Sequence, residues 1–547
     1  MKIKYFYAPL FLLILLQVPL SGQLPDSTFG IPTSFDGPPR PGVTGCDFGE
    51  RQDRCQAALH LEDGRILLAG YTSGEDETDF ALVRLLPDGH YDEIAGPQGQ
   101  MRLDLGYTTD SCLAASLYQE EWVLMGGCVK PPGQEGYALL LTKVDVDGLP
   151  DPAFGNEGLV LIDLPTRDEM ITHIRPLPDG KILIGGNILY EGYSFYAPDS
   201  TDIFVGRLLP NGQVDSTFGT NGFIHKRFDP YCRSSILGDL EIDGNGHILI
   251  TGGSFSPYPG EYGIDCPNHI VVCSYLPDGQ PDPSFGENGL LELSNTKGRA
   301  SALLIEEDGK IVVTGLTGHS LSWRPSYTYL SRLLPDGQFD PSFAVDGQFI
   351  EFIIMYTDGT EAVDILRIGD NYYLGILDSP EGFHIAFGLL SITDSGVRDT
   401  SFGNNGVYHS AAWLPFYGEI EQISTIDSQS IYLAGTYHTL THNNMMISKV
   451  KLTDIISATN APQETEIAVF PNPCTTGKIY FDAAGSLVGE NITILLSDMQ
   501  GRMAYQRRLL PVAGVNEVDI SSVSNGIYRL ELVGRHFRQV RKLIVQH

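Results

Sequence analysis

Short runs of alternating apolar and polar residues recur through most of the chain, and no amphipathic helix of useful length competes with them. A period of two is typical of strands with one buried face. One group of strands is predicted at Leu159–Pro165, Met170–Leu177, Lys181–Ile188 and Ile203–Leu209, with a Pro-Asp-Gly turn joining the middle pair. Six equivalent strand–turn–strand cores bring the predicted groups to seven: Arg65–Tyr71, Trp122–Cys128, His247–Ser254, Lys310–Thr317, Tyr372–Asp378 and Ile431–Tyr437.

A short motif, Asp-x-x-Phe-Gly, separates these groups at intervals of 58 to 67 residues. It follows a Pro-Asp-Gly or Pro-Asn-Gly turn, as in the stretch from Arg207 to Gly222. Its Phe residues are Phe154, Phe218, Phe285, Phe343 and Phe402, with an orphan copy at Asp26–Gly30 and a degenerate copy at Tyr91–Gly96. Ala344 stands where the other clear copies have Gly, so the groups at Ala344 and Tyr91 fit the pattern less well.

The residue types of the motif suit a turn followed by a buried ring. Asp can accept hydrogen bonds from backbone amides two residues on, Gly supplies positive φ, and Phe buries a large apolar surface. Calcium ligation is the alternative for Asp145-x-Asp147-Gly148, although that spacing is complete only once and lacks a clear bidentate acid further on. Turn capping is the preferred interpretation, and no cofactor is predicted beyond that weak calcium alternative.

Seven groups of four antiparallel strands predict an all-β, seven-bladed β-propeller, whose radial repetition protects its sheet edges. The Leu-Pro-Asp-Gly-x-x-Asp-x-x-Phe-Gly text resembles the delta-60 repeat family over roughly residues 24–452, which implies architecture and no particular activity. The last group lacks its own motif and the orphan copy lacks a preceding strand, so we expect the ends to close the ring. An open solenoid is the rival arrangement.

The C-terminal part predicts a small β-sandwich of seven short strands. It resembles the type A C-terminal sorting domain of the type IX secretion system, through Val469–Pro473, Asp498–Arg502, Gly526–Leu530 and a basic final strand. The resemblance implies export across the outer membrane of a Bacteroidetes-type bacterium, contact with the secretion machinery, and then cleavage or exchange for a surface anchor. The motif residues are Phe470, Pro471, Asn472, Pro473, Gly501, Gly526, Tyr528 and Lys542.

These features divide the chain into four segments. Residues 1–22 read as a secretory signal peptide, with Lys2 and Lys4 before a short apolar core. The propeller is predicted over 23–453, a polar linker over 454–466 and the sorting domain over 467–547. No second hydrophobic segment follows the leader, so the mature chain is not expected to span a membrane. We therefore expect a secreted or cell-surface protein.

Charge narrows the possible partners. The formal net charge is −33, and residues 466–547 are slightly basic, so the preceding part carries −35. Such acidity disfavours nucleic acid and anionic lipid surfaces as partners. Its plainest explanation is the solubility of a secreted protein.

Eight cysteines fit an oxidising compartment. The spacing makes two disulfides candidates, Cys46 with Cys55 and Cys112 with Cys128. Cys232, Cys266 and Cys273 fall in one group, and Cys474 lies alone in the last domain. Loss of Cys474 by cleavage in the linker would leave seven cysteines, which predicts at least one free thiol in the mature protein.

Candidate ligand contacts come from long aromatic loops assigned between the third and fourth strands of their groups: Tyr193, Tyr196, Tyr258, Trp323 and Tyr327. Aromatic residues on loops of a rigid scaffold suit a glycan or a surface protein, although they could simply pack on one another. The chain lacks the usual hydrolase and phosphate-binding motifs. His438 and His442 have helical metal-ligand spacing but lie at a strand end, so no metal site is predicted.

Two functions follow for the propeller. The preferred one is a non-catalytic binding or scaffold module. The alternative is a polysaccharide hydrolase or lyase with carboxylates at the axis, which close axial carboxylates with a raised pKa would favour. A purely structural role in the surface layer is a third function, and it predicts the same sequence features as binding.

Overall fold

Strands form almost all of the regular structure in the computed structural model. The structure describes residues 26–30, 42–49, 51–75, 77–119, 121–164, 168–190, 200–229, 232, 234–255, 269–317, 327–351, 353, 360–378, 387–409, 417–439, 442–452, 469–470, 475, 477–483, 492–498, 503–510, 514–533 and 538–546. The chain divides into two compact parts, Met1–Thr459 and Asn460–His547. Among the described residues, no helix is long and apolar enough to cross a membrane.

The first part is built from four-stranded antiparallel sheets, here called units. Strand β1 is Val43–Cys46. Unit 1 is β2 (Gln52–His60), β3 (Ile66–Ser73), β4 (Thr78–Leu85) and β5 (Gln100–Leu103), and unit 2 is β6 (Asp110–Tyr118), β7 (Trp122–Val129), β8 (Ala138–Asp145) and β9 (Leu159–Ile162). Unit 3 is β10 (Asp168–Pro176), β11 (Ile182–Tyr190), β12 (Ser200–Leu208) and β13 (Phe223–Lys226).

The same order continues to the end of the first part. Unit 4 is β14 (Ser234–Ile242), β15 (Ile248–Phe255), β16 (His269–Tyr275) and the first half of β17 (Leu290–Ile305). Unit 5 is the second half of β17 with β18 (Ile311–Thr317), β19 (Tyr327–Leu333) and β20 (Gln348–Glu351). Unit 6 is β21 (Thr360–Ile368), β22 (Asn371–Asp378), β23 (Phe387–Thr393) and β24 (Val407–His409), and unit 7 is β25 (Tyr417–Ser424), β26 (Ser430–His438) and β27 (Asn443–Lys451) with β1.

The first strands of these units form a closed ring. Each contacts the first strand of the next unit, in the cycle β2, β6, β10, β14, β17, β21, β25 and back to β2. The first strands therefore surround the axis, and the short fourth strands lie outside. This arrangement confirms the predicted β-propeller class; the described residues contain seven four-stranded units, and the blade number stays a prediction.

The N-terminal segment closes the ring. Strand β1 pairs antiparallel with β27, with Val43 opposite Ser448 and Cys46 opposite Met445. The backbone N–H of Asp26 donates to the carbonyl of Lys449 at 2.8 Å. The N-terminal segment thus supplies both the fourth strand, β1, and the Asp-x-x-Phe-Gly turn that unit 7 lacks, which confirms the expected closure and excludes the open solenoid.

The repeated Asp caps its own turn, as the sequence predicts. In the copy at Asp215, one carboxylate oxygen accepts from the Thr217 N–H at 3.1 Å and from the Thr217 hydroxyl at 2.5 Å. The same Asp-to-second-residue N–H bond occurs in all seven copies, at Asp26, Asp92, Asp151, Asp215, Asp282, Asp340 and Asp399. The candidate calcium ligand Asp145 is used in the same way, accepting from the N–H groups of Asp147 and Leu149.

The rest of the motif joins neighbouring units. The Gly219 N–H donates to the carbonyl of Asp278 in the next unit's Pro-Asp-Gly turn at 2.8 Å, and Phe218 is fully buried against Gly279 of that turn. A Cβ at Gly279 would lie 2.9 Å from both Gly219 and the Phe218 ring, so the turn requires Gly. Matching bonds run from Gly30 to Asp88, Gly155 to Asn211, Gly286 to Asp336 and Ala344 to Ser395. The repeat text therefore encodes the contact between units.

The strand grouping differs from the predicted one by one position. Strand β9, which we grouped with the strands after it, pairs with β8 of the preceding unit. The aromatic loops therefore connect the second and third strands of units 3, 4 and 5, and not the third and fourth. The alternation of apolar and polar residues does not show which neighbouring strand a short strand pairs with. For this reason the sequence analysis placed β9 in the wrong unit.

Both candidate disulfides are wrong, because Cys46, Cys55, Cys112 and Cys128 are free and buried. Cys112 lies opposite Gly127 and Cys128 lies opposite Ser111, so the two cysteines are one position out of register. Neighbouring residues of a strand point to opposite faces of a sheet, so these sulfur atoms cannot meet. Cys46 lies on the outer strand of unit 7, while the Cys55 thiol turns toward the carbonyl of Ala57 at 3.6 Å in unit 1.

The second part is a β-sandwich. One sheet contains β28 (Val469–Phe470), β29 (Lys478–Ala483) and β32 (Gly514–Asp519); the other contains β30 (Ile492–Asp498), β31 (Met503–Leu509), β33 (Gly526–Val533) and β34 (Arg538–Val545). Its core joins Phe481 and Val518 of the first sheet to Leu496, Leu530 and Leu543 of the second. The predicted small sandwich is confirmed.

Candidate functional site at the propeller axis

Every first strand carries a β-bulge near its middle, at the same place in each unit. Bulges re-aim the side chains beside them and are common near functional sites. The residue after the bulge bridges to the next unit in four cases. In unit 3, Nε2 of His173 lies 3.1 Å from the carbonyl oxygen of Gly238. Asp239, Asp364 and Gln422 accept hydrogen bonds from the backbone N–H groups of Leu303, Ile423 and Ala58, at 2.8, 2.7 and 2.7 Å.

Charged side chains gather on the part of the first strands that precedes the bulge. Arg54 and Glu419 pair across units 1 and 7 at 2.9 Å, and Arg299 contacts both carboxylate oxygens of Glu361 at 2.8 Å across units 5 and 6. Glu421 occupies the bulge itself, between Ile420 and Gln422. These five residues are called the axial cluster: Arg54, Arg299, Glu361, Glu419 and Glu421.

The axial cluster and the aromatic loops share one face of the ring. In an antiparallel sheet the start of the first strand lies beside the end of the second strand, as the pairing of Glu361 with Leu377 shows. The loops between second and third strands leave from that same end. A ligand held at the axis on this face would therefore lie on the side of the ring where the second strands end.

The two glutamates of β25 have opposed environments. A hydrogen bond with His438 lowers the pKa of Glu419, and the nearby Arg54 lowers it further. Burial raises the pKa of Glu421, and the negative charge of Glu419 adds to the effect. Two carboxyls whose pKa values are pushed apart can act as base and acid. Tyr71 is the cross-strand neighbour of Arg54 and adds a hydroxyl group to this charged region.

A second charged group lies further along the axis. Arg175 contacts Asp239 at 3.0 Å and Glu241 at 2.8 Å, between units 3 and 4. Burial raises the pKa values of Asp239 and Glu241, and it raises that of Asp364 to about 7. Asp239 and Asp364 each accept two backbone hydrogen bonds, so they act as clips between units.

The opposite face holds a separate cavity of about 550 Å³. It lies between the first turns of units 5 and 6 and is lined by Glu306, Glu307, Asp308 and Arg367. Arg367 contacts Glu306 and lies 3.1 Å from Asp394, so its charge is satisfied within the protein. This cavity lies at the end of the first strands of units 5 and 6, whereas Arg299 and Glu361 precede the bulges of those strands.

Most predicted contact aromatics fall outside the described residues, namely Tyr193, Tyr196, Tyr258 and Trp323. Tyr327 is the first residue of β19 and is 37% exposed, at the end of the strand where its loop arrives. His438 and His442 do not share a site: His438 contacts Asn443 and Glu419, while His442 lies 3.5 Å from Asp47. Among the described residues, no group of three or more His, Cys, Asp or Glu side chains could hold a metal ion.

The sequence analysis missed the axial cluster. A signal was available in the strand starts Asp-Arg-Cys-Gln, Gly-Arg-Ala-Ser, Thr-Glu-Ala-Val and Gly-Glu-Ile-Glu, each of which places a charge in the strand beside a small or apolar residue. An alignment of the seven units on their first strands would have placed these charged residues at equivalent positions. The bulge, which puts them toward the axis, has no sequence signature of its own.

In the sandwich, four of the predicted sorting-motif residues lie in described strands, two of them placed by their backbone pairing alone. Gly526 opens β33, and Tyr528 is buried with its hydroxyl donating to the carbonyl of Ser524 at 2.9 Å. Phe470 pairs with Tyr480 and Lys542 with Arg529 through their backbones. Pro471, Asn472, Pro473 and Gly501 lie outside the described residues.

Family models match both parts of the chain. Residues 468–546 match the secretion system C-terminal sorting domain, and residues 61–92, 177–218 and 306–343 match a β-propeller domain of unknown function. The chain is a β-propeller protein with a type IX secretion sorting domain. It is exported by that system to the cell surface or the extracellular space, and the sorting domain implies contact with the secretion machinery.

Other comparisons are distant. No curated protein matches the chain. Among solved structures, the Trypanosoma rangeli sialidase aligns with a TM-score of 0.35 and 9% identity, over 95% of this chain and 88% of the sialidase. The β-propeller domain of the Trilobed protease from Pyrococcus furiosus aligns with a TM-score of 0.38 and 8% identity, over 74% of this chain and 99% of that domain. Scores this low carry no argument about activity.

Proposed function

We propose that this secreted propeller is a recognition module that binds a glycan at the axial opening, on the face where the aromatic loops leave. The axial cluster carries this proposal, because it places fixed hydrogen-bonding groups at the centre of a rigid ring. Carboxylate and guanidinium groups are suited to sugar hydroxyls, and loop aromatics such as Trp323 would cover sugar faces.

A glycan array on the full secreted chain tests this function. We expect specific binding that Trp323→Ala and Tyr71→Ala each weaken by tenfold or more, while the melting temperature shows that both variants remain folded. Glu287→Gln, in an exposed outer turn, serves as the control and should bind normally. Folded protein that binds no glycan would reject the proposal in favour of a protein partner or a structural role.

Glycoside hydrolysis is a second candidate, and the pair Glu419 and Glu421 favours it specifically. Glu421, which keeps its proton to higher pH, would protonate the leaving oxygen, while ionised Glu419 would assist water or attack the sugar. The test is release of reducing ends from polysaccharides across a pH series. Hydrolysis that Glu421→Gln abolishes while binding persists would make the propeller an enzyme, and binding without release would keep it a recognition module.

A further inference from the structure

The junction between units 7 and 1 differs from the other junctions of the ring in its chain connection. Elsewhere the chain runs directly from the fourth strand of one unit into the first strand of the next. Here the fourth strand of unit 7, β1, comes from the N-terminal segment that leads into β2 of unit 1. The other three strands of unit 7 hold β1 and unit 1 by hydrogen bonds and packing alone. This junction can therefore open without a break in the chain.

His60 lies inside this junction, at the end of the first strand of unit 1. Its Nε2 atom is 2.7 Å from the hydroxyl oxygen of Ser424 in unit 7, and its ring is tilted against the Tyr432 ring of that unit, with 4.9 Å between the ring centres. The other ring nitrogen, Nδ1, is buried and has no hydrogen-bond partner among the described residues. A neutral imidazole can leave Nδ1 without a proton, whereas an imidazolium has an N–H group there that finds no acceptor.

A positive charge on His60 would also lack a compensating group. Lys449 lies over the Tyr432 ring, with its Nζ atom 5.2 Å from the ring centre, so the ring that His60 touches already has a cation beside it. The other charged residues of the elements packed on His60 are Glu62, Asp63 and Arg65 in the adjoining turn, Glu421 and Asp427 on or after β25, and Lys451 on β27. Burial lowers the pKa of His60 to about 4, and none of these acids raises it.

Tyr432 connects His60 to the N-terminal segment. The Phe29 ring packs edge-on against Tyr432, and it lies against Gly89 in a turn of unit 1. Lys449 lies near the rings of both Phe29 and Tyr432. A displacement of Tyr432 would therefore disturb the contact that anchors the Asp-x-x-Phe-Gly turn of the N-terminal segment.

We propose that this junction is a proton-sensitive latch, in which protonation of His60 displaces Tyr432 and Phe29 and releases the N-terminal segment while the other junctions stay closed. The inference is independent of glycan binding. In the released state His60 is exposed to water and titrates near pH 6.5, as an ordinary histidine does. The neutral imidazole therefore favours the closed ring above about pH 6.5, and this contribution is lost as the pH falls toward about 4.

Hydrogen–deuterium exchange of the full secreted chain, followed by mass spectrometry, tests the latch. The protection of the β1 amides is compared at pH 7 and pH 5, after correction for the intrinsic exchange rate, with that of β9, the fourth strand of unit 2. We expect the protection of β1 to fall by about tenfold or more, and that of β9 to change by less than about twofold. Equal losses in the two strands, or no loss in β1, would overturn the inference.

The variant His60→Gln isolates the proposed residue, because its amide can bond to Ser424 and cannot take up a proton. The protection of β1 in this variant should be the same at both pH values within about twofold. His225→Gln, on the exposed side of the outer strand of unit 3, is the matched control and should respond to pH as the native chain does. The test uses the ratio of protection at the two pH values, so a variant with weaker closure at both still counts. A loss in β1 at pH 5 that persists in His60→Gln would show that another group opens the junction.

Discussion

Lys451 donates a hydrogen bond of 2.9 Å to the carboxylate of Asp26, across 425 residues of sequence. Phe29 lies beside this pair, 2% exposed, with its ring edge-on to Tyr432 at 5.7 Å. The same Phe position joins units elsewhere in the ring, but here the two partners come from opposite ends of the propeller. Stability of the ring therefore depends on a short N-terminal segment.

Phe29→Ala should weaken the seam, that is, the contact between the N-terminal segment and unit 7. Removing a buried Phe costs about 3–5 kcal/mol of the free energy of unfolding, measured by denaturant titration. Phe285→Ala, in an internal copy of the motif, should cost a similar amount. Limited proteolysis separates the two, because only Phe29→Ala should speed cleavage between Gly30 and Val43. Equal cleavage rates in both variants would show that the seam is no weaker than an internal junction.

Ala344→Gly should stabilise the protein. Ala344 has a φ of 48° where the other clear motif copies have Gly, and a left-handed conformation costs an L-residue free energy. We expect a gain of about 0.5–1 kcal/mol by chemical denaturation. The reverse change, Gly155→Ala, should destabilise by roughly 1–3 kcal/mol, since its Cβ would lie 2.1 Å from the Leu159 carbonyl oxygen. A loss of stability in Ala344→Gly would contradict this account.

Asp110 should make stability depend on pH. Its carboxylate is fully buried, and this burial raises its pKa to about 8. An unfolded Asp titrates near 3.9, so this residue favours the folded state below about pH 4 and loses that contribution as pH rises to about 8.

Asp110→Asn removes that titration. We expect the variant to match the native chain near pH 4 and to exceed it by roughly 1–3 kcal/mol at pH 8, by denaturant titration across the range. Comparing the two proteins cancels the contributions of other raised groups such as Asp364. A stability difference that does not change with pH would show that Asp110 is ionised in the folded protein.

Five cysteines should react as thiols. Cys46, Cys55, Cys112, Cys128 and Cys273 are free and buried. Alkylation of the unreduced secreted protein, followed by mass spectrometry, should label at least these five after denaturation and label them slowly in the folded state. Protection of Cys112 or Cys128 in the denatured, unreduced protein would reinstate a disulfide at that hairpin.

The repeat text predicted the architecture because its residues perform local tasks. Asp215 caps the turn that contains it, and a large apolar ring such as that of Phe218 is expected to be buried, so each role is readable from one copy. The contact of Gly219 with the following unit, in contrast, depends on how units are stacked. Cys112 and Cys128 show a second limit of prediction from sequence. One bulged residue shifts the register of their hairpin and changes which side chains share a face of the sheet.

The axial cluster was not predicted from the sequence, for a related reason. Glu361 and Arg299 are 62 residues apart in the chain, and their contact exists only because neighbouring first strands meet at the axis. The aromatic residues of the loops were singled out because several aromatic residues in one long loop are conspicuous in any sequence. Charged residues such as Glu421 resemble ordinary surface residues until the ring is assembled around them.

The contact between Phe218 and the turn at Gly279 recurs at several junctions with the same residue types on both sides. A gene segment that encodes one unit therefore carries both halves of a compatible junction. Duplication or deletion of such a segment adds or removes a unit without the need for new complementary residues. Recombination can thus alter the diameter of the ring, and with it the size of the axial opening, in a single genetic event.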